Sequence, residues 1–85
     1  MSAPQQDAAL RAWLHAVAQH LVASPDQLSV SVSDGRRATR FEIHAPEAER
    51  GQLIGREGVT IRALRTAFEL VAGKHRRRFE VEIPG

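Results

Sequence analysis

Gly55 and Gly58 stand three residues apart in the segment Leu53-Ile54-Gly55-Arg56-Glu57-Gly58-Val59-Thr60-Ile61, with helical patterning on both sides of them. A short turn bounded by glycines lets two helices meet at a sharp angle without Cβ clashes. It also lets the backbone of a ligand approach the main chain closely. On the N-terminal side, Pro46 opens a short helix over about residues 47–53, because proline is well tolerated at a first helical position. On the C-terminal side, Ile61, Leu64, Phe68 and Val71 recur at helical spacing and predict a longer helix over about 59–72, with Gly73 as its stop.

The rest of the chain supplies the layer on which these helices pack. Leu10, Trp13, Leu14, Val17 and Leu21 form one face of a first helix over about residues 7–23, with Asp7 as its N-cap and Pro25 closing it. Trp13 is assigned to the core. Leu28, Val30 and Val32 alternate with serines, and Asp34-Gly35 then marks a tight turn. Phe41, Ile43 and Ala45 point inward from a second strand, and Phe79, Val81 and Ile83 from a third. Every strand has one apolar face, so the expected class is α+β, in the order α-β-β-α-α-β. Three helices cover one side of a three-stranded mixed sheet. Residues 1–6 are expected to be a flexible tail and 7–84 the single domain.

Composition narrows the function. With 85 residues and no cysteine, disulfides and cysteine-held zinc are excluded. There is no apolar run long enough to span a bilayer, and the first residues do not read as a signal peptide, so a soluble cytoplasmic protein is expected. His15 and His20 are badly spaced for one metal on a helix, and no nucleophile–base pair is supported by spacing, so neither a metal site nor an enzyme is expected. The formal net charge is only +2, yet it is unevenly spread. Residues 50–78 hold Arg50, Arg56, Arg62, Arg65, Lys74, Arg76, Arg77 and Arg78 against Glu57 and Glu69 alone. Such a local positive field attracts polyanions.

The helix that begins after Gly58 presents free N–H groups and the positive end of its dipole, which favour phosphate. Arg56 at the loop tip can add a charged contact, Ile54 and Ile61 are expected to anchor the two helices to the core, and Ile54 can also line a groove wall. The segment resembles the signature of the KH domain family, an apolar residue, Ile, Gly-x-x-Gly, two residues, then Ile. The element order is similar to the family's type II arrangement over about residues 7–84. Leu21-Val22-Ala23-Ser24-Pro25-Asp26 and Ile61-Arg62-Ala63-Leu64-Arg65-Thr66 are similar to the small bacterial stand-alone KH proteins of the KhpA type. The resemblance implies an RNA-binding protein, an RNA chaperone or post-transcriptional regulatory factor without a cofactor, that clamps single-stranded RNA on the Gly-x-x-Gly loop while bases lie in the adjoining groove. It implies RNA contacts at Ile54, Gly55, Arg56, Glu57, Gly58, Val59, Thr60 and Arg62. It also implies a homodimer, or a heterodimer with a larger KH-containing RNA-binding protein.

Two positions depart from that pattern: Glu57 sets a carboxylate in the loop, and Val59 stands where a basic residue is expected. They motivate an alternative, a KH-fold interaction or dimerisation module with weak or no RNA binding. Lys74, Arg76 and Arg77 are candidates for additional RNA contact, as against a solvated loop. Arg65 is expected to pair with Glu69 on the helix surface. The roles of Arg36 and Arg37 are open. With few aromatics off the core, base preference is expected to be loose.

Overall fold

The computed structural model describes residues 2–85. Helix α1 spans Ala3–Ala18, and it begins earlier than its apolar pattern predicts. The N-cap is Ser2 and not Asp7. Ser2 Oγ accepts from the Gln5 N–H at 3.4 Å and the Ser2 N–H donates to Gln5 Oε1 at 3.1 Å, a reciprocal capping box. Residues 3–6 are therefore the first turn of a helix, with Gln6 buried, and not a tail. The helix also ends sooner than expected. His20 and Leu21 bond back to the carbonyls of Val17 and Ala18 in a tightened last turn, and Pro25–Gln27 form a separate 3₁₀ turn.

Strand β1 (Ser29–Asp34) pairs antiparallel with β2 (Thr39–His44), and Val30 faces Ile43. The hairpin turn is closed by the Gly35 N–H donating to the Ala38 carbonyl at 2.8 Å. Strand β3 (Phe79–Glu82) runs parallel to β2 on its other side, with Phe41 opposite Val81. The order β1-β2-β3 leaves β3 at an edge. Between β2 and β3 come a 3₁₀ turn at Glu47–Glu49, helix α2 (Arg50–Ile54) and helix α3 (Val59–Lys74). The expected helix over 47–53 is thus a 3₁₀ turn followed by one short α-helix.

One core joins the layers. Leu14 and Ala18 of α1, Leu53 of α2, and Ile61, Leu64, Phe68 and Ala72 of α3 bury against Val30, Phe41, Ile43, Phe79 and Val81 of the sheet. Its centre is aromatic: Phe41 meets Phe68 edge-on at 4.9 Å between centroids and Phe79 at 5.5 Å. Fully burying each such ring contributes about 1.5–3 kcal/mol. The opposite sheet face carries Ser29, Ser31, Ser33, Arg40 and Glu80, all exposed. The α+β class, the mixed three-stranded sheet and the single helical layer match the sequence reading.

Trp13 does not. It lies 5.9 Å from Phe68 at the margin of the core and stays 46% exposed.

Gly73 is not the helix stop either, because α3 runs through it to Lys74. The termination uses Arg76 in the left-handed region at φ 55°. The Arg77 N–H bonds to the Ala72 carbonyl at 2.8 Å and the Arg76 N–H to that of Gly73 at 3.4 Å. This is a Schellman motif in which an arginine occupies the position usually held by glycine.

Candidate nucleic-acid interface

The turn between α2 and α3 owes its shape to its glycines. Gly55 adopts φ 79°, and a Cβ there would come within 2.8 Å of the Thr60 backbone nitrogen. Glu57 (φ 55°) and Gly58 (φ 76°) are then left-handed in succession, which reverses the chain within one turn. A left-handed residue costs about 1–2 kcal/mol unless it is glycine, so Glu57 needs support. Arg62, one turn into α3, supplies it by donating from Nη1 to the Glu57 carbonyl at 2.6 Å. A Cβ on Gly58 would stand 2.9 Å from that same Nη1, so the second glycine makes room for the brace.

The fold brings Ile54, Gly55, Arg56, Glu57, Gly58, Val59, Thr60 and Arg62 together at this corner. Ile61 is buried as expected, but Leu53 and not Ile54 anchors α2 to the core; Ile54 and Val59 are 41% and 57% exposed and form an apolar lip on either side of the turn. Arg56 and Glu57 are exposed at the tip, and no ion pair among the described residues takes up Arg56. Gly58 caps α3 with no side-chain acceptor; the Val59 N–H is taken by the Arg56 carbonyl, and the positive end of a 16-residue helix lies beside the loop. Thr60 packs beneath Gly55 and holds the turn from inside.

From this corner a groove runs between α3 and the free edge of β3, lined by Arg65, Glu69, Phe79, Glu80, Val81 and Glu82. Arg65 spans it. Its Nε donates to the Val81 carbonyl at 3.0 Å and its Nη2 lies 3.7 Å from Glu82, so the expected pairing with Glu69 gives way to one with the edge strand. Only the side-by-side packing of α3 and β3 selects this partner, and helix spacing does not encode it.

Lys74, Arg76 and Arg77 do not join the loop. They lie at and just past the other end of α3, about 24 Å away at 1.5 Å per residue over 16 residues. Arg77 is committed to the fold. It donates to Asp7 Oδ1 at 2.6 Å, Gln6 Oε1 at 2.8 Å and Thr39 Oγ1 at 3.0 Å, with its guanidinium 4.8 Å from the Phe79 ring centroid. The hydrogen bond it donates to Asp7 raises its pKa above the usual arginine value, and partial desolvation works against that shift. Its reading as an RNA contact is replaced by a clasp joining α1, β2 and β3. Lys74 and Arg76 remain exposed.

Among the described residues no group of three or more His, Cys, Asp and Glu could hold a metal ion, and no helix is long and apolar enough to cross a membrane.

Residues 11–83 match the family model described as KhpA/KhpB, KH domain. The chain is similar to proteins named RNA-binding protein KhpA. One, from Borreliella burgdorferi, is 33% identical over 79% of this chain and 82% of the relative. Another, from Clostridium acetobutylicum, is 31% identical over 87% of this chain and 99% of the relative. A third, from Aquifex aeolicus, is 32% identical over 88% and 95%. No solved structure matches the chain significantly. The Gly-x-x-Gly turn, the helix order and these similarities agree: the chain belongs to the KhpA/KhpB family of KH domains.

Proposed function

We propose that the chain binds single-stranded RNA, with the sugar-phosphate backbone seated on the Gly55–Gly58 turn and bases in the groove between α3 and the β3 edge. The observation that carries this reading is the turn itself. Consecutive left-handed residues, a helix start without a side-chain cap and an unpaired Arg56 converge at one exposed corner. The names of the relatives support the same ligand. No catalysis is part of the role. Ser31 Oγ and Glu42 both approach the same His44 nitrogen, at 2.9 and 3.9 Å, whereas a relay uses opposite ring nitrogens. A protein with few base-stacking groups that holds RNA through its backbone suits a chaperone or regulatory factor acting on many transcripts in the cytoplasm. One small module makes few contacts, so affinity is expected near micromolar and steeply salt-dependent. Titrating labelled single-stranded and duplex RNA of the same sequence tests the reading: preference for the single strand supports it, and equal or better duplex binding contradicts it.

A second reading, pairing with another KH chain, is favoured by one observation. Ala9, Leu10, Trp13, Ala67, Phe68 and Val71 line an apolar cleft of about 290 Å³ between α1 and α3, and Trp13 is half exposed in it. Sedimentation of wild type and Trp13→Glu across a concentration series tests it. A wild-type mass that rises with concentration, lost in the variant, supports pairing through this cleft.

A further inference from the structure

The hairpin turn between β1 and β2 and the turn between α3 and β3 are far apart in sequence, yet the sheet sets them side by side. β2 begins where β3 begins: Thr39 is opposite Phe79, and the Thr39 N–H donates to the Arg78 carbonyl at 2.9 Å. The turns that precede these strands therefore meet at one end of the sheet. Between them lies a cleft of about 250 Å³ lined by Gly35, Arg36, Arg37 and Ala38 on one side and Arg76, Arg77 and Arg78 on the other.

Its lining is strongly basic, with Asp34 just outside it, accepting from Thr39 Oγ1 and near enough to act on Arg77. Arg36, Arg37, Arg76 and Arg78 are exposed, and no ion pair among the described residues engages any of them. No acidic residue lines the cleft. Arg77, held by Asp7 beneath, fixes the second turn in place. Arg76 stays in the left-handed conformation although glycine would be easier there, so this turn carries a charge at a conformational cost. Four unpaired guanidiniums around a concave surface repel one another, and an anion offering several oxygens relieves that repulsion.

The cleft also connects to the groove. Glu80 lines the groove beside α3 and also a hollow along the hairpin that includes Arg36 and Arg37, where Arg40 lies 3.4 Å from its carboxylate and offsets its charge. A strand lying on the Gly55–Gly58 turn and following the β3 edge is thus led past Glu80 to the arginines. The path of about 24 Å corresponds to roughly seven nucleotides at the ~3.4 Å spacing of a stacked strand, more than the four that a KH loop clamps.

We propose that Arg36, Arg37, Arg76 and Arg78 form a second phosphate-binding site, remote from the glycine turn, that takes the continuation of the same RNA strand. This rests on the RNA-binding reading above. The turn and groove hold a short segment, and the arginine cleft extends the footprint. Because the second contact is intramolecular once the first is made, it raises affinity only for RNAs long enough to reach it.

The test compares single-stranded RNAs of about 5 and about 15 nucleotides by fluorescence anisotropy at two or more salt concentrations. Two variants remove one wall each: Arg36→Glu with Arg37→Glu, and Arg76→Gly with Arg78→Gln. Arg77 is left intact. The Arg76→Gly change suits the left-handed backbone, so the second variant is expected to melt no lower than wild type. Wild type is expected to bind the longer RNA at least about fivefold more tightly, beyond the statistical gain from extra positions. Each variant should lose most of that gain. Together they should lower the salt slope on the long RNA by roughly 2 to 3, at about 0.7 per phosphate contact, with short-RNA affinity unchanged. If wild type shows no length gain, or folded variants keep it, the second site is overturned and the glycine-turn reading stands. If the variants weaken short and long RNA equally, the arginines are not a separate site. If wild type binds neither RNA, the RNA-binding reading itself fails and takes this site with it.

Discussion

The Arg62 guanidinium donates to the carbonyl of Glu57 at 2.6 Å, tying the first turn of α3 back to the left-handed residue of the glycine turn. Sequence spacing alone leaves Arg62 open between RNA contact and solvent. The geometry gives it a third role, holding the loop in the shape that admits a backbone.

That role separates charge from shape. Arg62→Lys keeps the charge but loses the planar fork that reaches the carbonyl. RNA affinity is expected to fall about 3- to 10-fold in both Arg62→Lys and Arg62→Ala, matching a hydrogen bond worth about 1 kcal/mol. Melting temperatures should fall in both variants by roughly 4–8 °C at most, the loss of one exposed hydrogen bond of about 1 kcal/mol. An Arg62→Lys protein that binds as wild type would make Arg62 a phosphate contact instead. Anisotropy titration decides between them.

Gly55→Ala tests the other side of the turn. The new Cβ meets the Thr60 backbone at 2.8 Å in a residue held at φ 79°. The strain costs about 1–3 kcal/mol, and for a domain of this size each kcal/mol lowers the melting temperature by roughly 4–8 °C. Thermal denaturation reads it directly. Trimming Thr60 to alanine should restore little, because the close atoms include its main-chain nitrogen.

Arg77 carries stability. Arg77→Met keeps an apolar stem beside Phe79 but leaves Asp7, Gln6 and Thr39 without their donor, and is expected to cost about 1.5–3 kcal/mol. The pH dependence has a definite sign. A cation whose pKa is raised on folding stabilises fully below its unfolded value and loses that contribution only as pH rises through the folded one. For Arg77 the folded value lies above the ordinary arginine value, which is itself far above neutral pH. The gap between wild type and Arg77→Met should therefore stay constant from pH 7 to about pH 10 in denaturant melts. A gap that closes over that range would mean that a group other than Arg77 supplies the stability.

Much of this was legible before the structure. Val30, Phe41, Ile43, Phe79 and Val81 alternate with polar residues because the sheet buries one face only, and that pattern gave the strands. The glycine turn was legible because no other residue fits at Gly55. What was hidden depends on long-range geometry. Asp7 looks like a helix cap, but its carboxylate serves Arg77 from 70 positions away, and the cap falls to Ser2. Within Arg76-Arg77-Arg78 the three side chains are chemically alike. Only the Schellman turn decides that the middle one points inward. Trp13 shares a helix face with Leu14 and Val17, yet its ring stays at the rim of the core, touching Phe68 and half exposed. Arg36 and Arg37 gain a setting only once parallel pairing of β2 and β3 brings the two turns together.

The measurement that bears most directly on the central claim is RNA binding by the double variant Arg56→Asp, Glu57→Asp beside wild type, at two salt concentrations, with circular dichroism confirming that both are folded. Both side chains are exposed at the tip of the turn, so the exchange replaces the unpaired cation Arg56 by a carboxylate and leaves the core and Arg62 untouched. If the glycine turn is the clamp, wild type binds short single-stranded RNA and the variant loses at least about tenfold in affinity, more than 1.4 kcal/mol. Equal binding of short RNA by two folded proteins would contradict the assignment of the site to this turn.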